Sequence, residues 1–217
     1  MTRYTRILSA TILASLCLHM PSLAASPRSY AECAQLANQN PSEALKEASS
    51  WLIKTNSVSA QHCKAIALFA LKRYDDSAAE LAKLERRIYA KDQILWGNVM
   101  HQMAKAWRLS GMPANASNSL DKAISRLSDN EDTSSLLLTR QLLEERSDLN
   151  KSAHPLLALQ DLDHALSIAP QDIGLRLKRG LLLVQLKEFE LARQDLQLVL
   201  SRQPNNSDAK QAMAQIP

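Results

Sequence analysis

Nowhere along the chain do apolar and polar positions alternate over the length of a β-strand. Valine occurs only at Val58, Val99, Val184 and Val199. A sandwich, a barrel or a parallel sheet needs β-branched residues and glycine turns, so the pattern predicts helices throughout. Residues 30–39 and 42–54 read as one helix pair, with Pro41 at a helix start, where its missing N–H costs nothing. Farther along, residues 207–215 read as a short helix with a polar face. A polar stretch, 128–134, supplies a loop and a helix N-cap between two of the helical segments.

The first residues follow a different pattern. Arg3 and Arg6 form a basic start, residues 7–18 an apolar run, and Pro21, Ser22 and Ala24 close it. That is the order of a secretory signal peptide, 1–24, cleaved after Ala24. The run is shorter than the roughly 20 residues a bilayer span requires. Leu16 before Cys17 does not suit lipid attachment. The expected location is across the inner membrane, in a bacterial periplasm, with no membrane span left after cleavage.

Removing that segment changes the charge. The formal net charge of the whole chain is +4. Without Arg3 and Arg6, 24 basic residues face 22 acidic ones, about +2. No basic run is long enough for a phosphate track, and the densest cluster, 83–87, carries its own Glu85, so no nucleic-acid partner is expected. Without Cys17, Cys33 and Cys63 remain, and an oxidising compartment lets them form one disulfide. Two buried thiols, or a redox or metal pair, are the other readings. The lack of a Cys-x-x-Cys and the lone neighbouring His62 weaken the last.

The body repeats. Pro170 and Pro204, Ala158 and Ala192, and Leu162 and Leu196 each lie 34 residues apart. In the last unit Gly180, Ala192, Leu196 and Pro204 form a set: two small residues let antiparallel helices approach, Leu196 fills the gap behind them, and Pro204 ends the second helix. This set resembles the tetratricopeptide repeat family. Departures are Arg176 where the family often has Trp, Leu183 where it has Tyr, and Arg146 at the glycine place of the unit before. Upstream the phase returns at Ala104, Trp107, Gly111, Ala116, Leu120 and Ala123, and again at Ala65, Tyr74, Ser77 and Leu81. The resemblance implies an all-α, right-handed superhelical solenoid of antiparallel helix pairs. Its expected divisions are a diverged pair at 25–57, repeats at about 58–91, 97–130, 139–172 and 173–204, and a capping helix at 205–217. Ala116 and Ala158 are 42 residues apart, which places about eight extra residues near 127–135.

Catalytic motifs are missing. There is no nucleophile elbow, HExxH or P-loop, and the four glycines do not cluster into a phosphate cradle. His154 and His164 are ten apart, the wrong spacing for a zinc pair on one helical face, and Asp161 and Asp163 point apart at i and i+2. Glu144 and Glu145 read as a solvated face. No catalysis, metal or cofactor is expected. The resemblance instead implies a concave groove, lined by the first helix of each pair, that takes a protein or peptide partner. By phase it presents His62, Ile66 and Phe69, then His101, Lys105 and Arg108, then Arg140, Leu143 and Ser147, and last Leu177, Leu181 and Val184. Its centre is then basic and suited to carboxylates, and its ends are apolar. Ser147 and Leu181 stand where the family's carboxylate-clamp subtype wants Asn, so that subtype is not expected. The alternatives are an accessory subunit or enzyme with a site built from scattered residues, or a self-assembling structural protein.

Overall fold

The structure, a computed structural model, describes residues 29–90 and 92–217. The signal peptide expected at 1–24 lies outside the described residues. Within them are eleven helices and no strand: α1 Tyr30–Gln39, α2 Pro41–Thr55, α3 Val58–Ala70, α4 Tyr74–Ile88, α5 Gln93–Leu109, α6 Pro113–Leu127, α7 Thr133–Asn150, α8 Pro155–Ile168, α9 Ile173–Gln185, α10 Phe189–Arg202 and α11 Ser207–Met213.

Two kinds of helix start alternate. Every first helix is capped by a short polar side chain that accepts a backbone N–H: Ser29, Ser57, Asp92, Asp132 and Asp172 in turn, and Asn206 for α11. The second helices α4, α6, α8 and α10 have no side-chain cap and leave tight turns, whereas Asn40 caps α2 by accepting from the Glu43 N–H. Pro41, Pro113 and Pro155 open three of the second helices, where proline needs no N–H partner. The turn inside a pair is built the same way three times. Lys72, Gly111 and Lys187 take left-handed conformations, with φ of 59°, 80° and 63°. The next residue's N–H then reaches back five residues, Arg73 to Leu68, Met112 to Trp107 and Glu188 to Leu183. Only Gly111 adopts that conformation without a Cβ penalty. Lys187→Gly is therefore expected to raise stability by about 1 kcal/mol and Gly111→Ala to lower it by a similar amount. Thermal melting of the two variants checks this; shifts of the same sign would refute the account.

The helices stack as a solenoid of antiparallel pairs. Each second helix packs on the first helix of its own pair and on the first helix of the next. One buried core runs from Ala65 in α3 to Leu182 in α9. The small-residue logic holds at Gly180: a Cβ there would sit 3.0 Å from the Leu196 side chain, already a tight contact. The residues inserted before Ala158 do not form a long loop. Only 128–132 is non-helical, and α7 starts six residues early, at Thr133, because the Asp132 carboxylate accepts from the N–H groups of both Ser134 and Ser135.

The two ends are closed differently. The first pair meets α3 through alanines (Ala37, Ala44 and Ala67) and through a disulfide between Cys33 and Cys63, whose Cα atoms are 6.0 Å apart. At the other end α11 packs on both α9 and α10.

Candidate partner-binding groove

Successive first helices are tied side chain to side chain, and these ties define an inner face. Tyr30 of α1 stacks on His62 of α3, with ring centroids 5.3 Å apart. His62 Nε2 donates to Gln102 Oε1 of α5 at 2.7 Å. Burial lowers the His62 pKa against that hydrogen bond, so the imidazole is held neutral as a buried spacer between helices. From α5 to α7 the tie is Arg108 to Glu145, Nε to Oε1 at 2.8 Å, with His101 Nε2 3.9 Å from the other carboxylate oxygen. From α7 to α9 Lys178 reaches Asp148 at 2.6 Å and Glu144 at 2.9 Å. Arg140 sits 3.3 Å from both Glu144 and Asp172.

These pairs revise the expected electrostatics. Glu144 and Glu145 are not a solvated face; both are partly buried counter-ions on the inner surface. The His101 imidazole, followed by Arg108 and Lys105, holds the Glu145 carboxyl down at about 2, against the cost of its burial. The centre is therefore no bare basic patch, because Arg108 and Arg140 are already neutralised. Of the three cations expected there, Lys105 alone has no ion-pair partner among the described residues.

Other expected groove residues have moved into packing. Leu143 and Ser147 are 1% and 3% exposed, so they belong to the interior and not to the lining. The rotation of α7 turns Glu144 and Asp148 to the neighbouring helix in their place. Leu177, Leu181 and Val184 are half-buried against a cluster of Leu196, Val199, Ala209 and Ala212, with Met213 and Ile216 of the chain end. The terminal segment occupies the apolar end of the face. Sequence reasoning missed Gln102, Glu145, Asp148 and Lys178. The one visible signal was the acidic spacing on α7, Glu144, Glu145 and Asp148, within reach of cations on both neighbouring helices.

Comparison with known proteins fits this geometry. Residues 150–217 match the tetratricopeptide repeat family. The family match thus covers the C-terminal third of the chain. No curated protein matches it in sequence. Among solved structures, YrrB, a TPR protein with an unusual peptide-binding site, is 13% identical with a TM-score of 0.64, over 85% of this chain and 90% of YrrB. A putative kinesin light chain from Podosopora anserina with nearly identical TPR-like repeats is 17% identical with a TM-score of 0.65, over 81% and 94%. MamA from Desulfovibrio magneticus is 13% identical with a TM-score of 0.60, over 84% and 99%. These likenesses show that the tetratricopeptide fold spans nearly the whole described chain.

The departures from the repeat pattern have a common cause. Arg146, at a glycine place, sends Nε and Nη2 to Asp161 at 3.0 and 2.6 Å and Nη1 to Asp121 at 2.7 Å. Arg176 and Arg179 both hold the buried Asp195, and Arg179 also reaches Asp163 at 2.7 Å. Lys64 and Lys83 hold Glu80 in the same manner at 3.0 Å. In each of these pairs a buried acid on the second helix is held by a cation from the first, with Lys83 of the second helix added at Glu80, and Arg146 and Arg176 stand where the repeat pattern has its small and aromatic residues.

Proposed function

We propose that this protein is an exported, non-catalytic adaptor that binds an extended peptide segment of a partner protein along the inner face of its tetratricopeptide repeats. The observation carrying the reading is the state of that face. Between α3 and α7 it is held in place by fixed side-chain pairs yet still solvent-accessible, with the Arg108 side chain 44% exposed, while the α9 end is closed by the chain's own terminus. A preorganised groove loses little freedom when a partner docks, which favours binding. Export is supported by the signal-like pattern at 1–24 and by a disulfide, a bond that persists in oxidising compartments. A non-catalytic role is supported by how most ionisable groups of the face are used: Arg108, Arg140 and Lys178 are spent on Glu145, Asp172 and Asp148.

Photo-crosslinking tests the reading. A crosslinking residue is placed at Lys105 or Asp148 on the inner face, or at Asn118 or Gln197, exposed on second helices. Irradiation of the native envelope fraction followed by mass spectrometry is expected to give partner adducts from the first two positions and not from the second two. Adducts from the outer positions alone, or adducts only between copies of this chain, would overturn it.

A further inference from the structure

Between α3, α4 and α5 the inner face opens into a cavity of about 280 Å³. Its floor is formed by Ala65, Ser77 and Leu81, all at most 2% exposed. Ile66 and Phe69 complete the apolar wall. The floor asks for no polar ligand atom, since the Ser77 hydroxyl already donates to the Ala65 carbonyl at 2.8 Å. The rim is different. Gln102 spends its oxygen on His62 and keeps its amide nitrogen without a partner among the described residues. Lys105 stands beside it on the same rim, one turn before the neutralised Arg108.

Size and charge identify the occupant. Pockets for whole small molecules run from about 300 to 1,000 Å³. This one falls just below that range and suits one leucine, isoleucine or phenylalanine side chain. Lys105 at its mouth makes no contact ion pair and acts on Glu145 only at longer range, so a carboxylate close by can pair with it. We infer that the cavity is a specificity pocket for a peptide segment in which an apolar side chain stands one or two residues from an Asp or Glu. The apolar group enters between Phe69 and Leu81, the acid meets Lys105, and the Gln102 amide donates to a peptide carbonyl between them. The inference rests on the groove reading above and narrows it to the α3–α5 stretch.

Fluorescence anisotropy with labelled decapeptides tests it on the full chain. Three otherwise identical peptides carry Leu-Ser-Glu, Ala-Ser-Glu or Leu-Ser-Lys at the centre. The first is expected to bind at least tenfold more tightly than either of the others, the range in which apolar pockets discriminate by size. Lys105→Glu is expected to reverse the preference between the Glu and Lys peptides. Ala65→Leu, checked for folding by its melting curve, is expected to abolish the preference for Leu over Ala. The charge reversal stands even if the filled variant does not fold. Equal binding of all three peptides, no binding of any, or a preference untouched by Lys105→Glu would overturn the pocket. Partner crosslinks from position 148 together with that result would leave the groove reading standing; absence of crosslinks from 105 and 148 would remove both.

Discussion

Arg146→Ala is expected to cost roughly 3–5 kcal/mol, the range for removing one partner of a buried ion pair. Asp161 is 1% exposed and receives two of the three guanidinium hydrogen bonds of Arg146. Burial already pushes its carboxyl above the ordinary value, against the pull of that guanidinium; Asp121 adds to the rise and His164 opposes it weakly. Without Arg146 the carboxylate is buried beside Asp121 with no close cation. The melting temperature is expected to fall by roughly 10 °C for a chain of this size. The sign of the pH dependence follows. A carboxyl whose folded pKa is raised takes up its proton more readily folded than unfolded, so lowering the pH through that folded pKa relieves the penalty. The deficit of the variant relative to the native chain is therefore expected to shrink as the pH is lowered toward 4. Arg146→Leu combined with Asp161→Leu removes both charges and is expected to recover most of the loss. An Arg146→Ala deficit under 1 kcal/mol, or one that grows on acidification, would contradict the assignment.

Reduction of the Cys33–Cys63 bond is expected to cost roughly 3–4 kcal/mol in the chain-entropy account of a loop of about thirty residues. The loss is expected to be local. A solenoid is stabilised by each unit against its neighbours, so a bond joining α1 to α3 protects the first pair above all. The fully buried contacts of that pair are small, Ala37, Ala44 and Ala48 with the two cysteines, and its larger side chains, Leu36, Leu45 and Trp51, are only partly buried against them. Hydrogen exchange with and without a thiol reductant should show α1 and α2 losing protection first, while α7–α10 keep theirs. The Cys33→Ala, Cys63→Ala double variant should match the reduced protein and ignore the reductant. Identical melting curves and exchange patterns in both redox states would refute the role given to the bond.

The two cases differ in how they could be read from the amino-acid order. The cysteine pair was available as a candidate, because export and an even count left few pairings to weigh. The Arg146 network was not. Arg146 stood out only as a departure from a glycine place, and Asp161 and Asp163 only as acids pointing apart. The structure turns that divergence into a rule, with Asp161 directed back to its own pair through Arg146 and Asp163 forward to Arg179 in the next.

The groove divides in the same way. Which helices face inward was implied by the resemblance to the repeat family, once Gly180, Ala192 and Leu196 set the phase of the last unit. Which inward side chains remain free did not follow. Arg108 and Glu145 are 37 residues apart, and their meeting depends on the rotation of α7, which also buries Leu143 and Ser147. Leu177, Leu181 and Val184 kept their inward phase but were covered by the end of the chain.

The sequence by itself determined the helical class, the repeat phase and the candidate cysteine pair. The first two arise from local patterns that recur along the chain, and a recurring local pattern needs no knowledge of distant residues; the cysteine pair came from export and an even count. Only the tertiary structure decided the charge of the inner face, the closure of its apolar end and the cavity beside Lys105. Each of these depends on the rotation and stagger of one helix against another, where a shift of one residue exchanges an ion pair for a buried side chain.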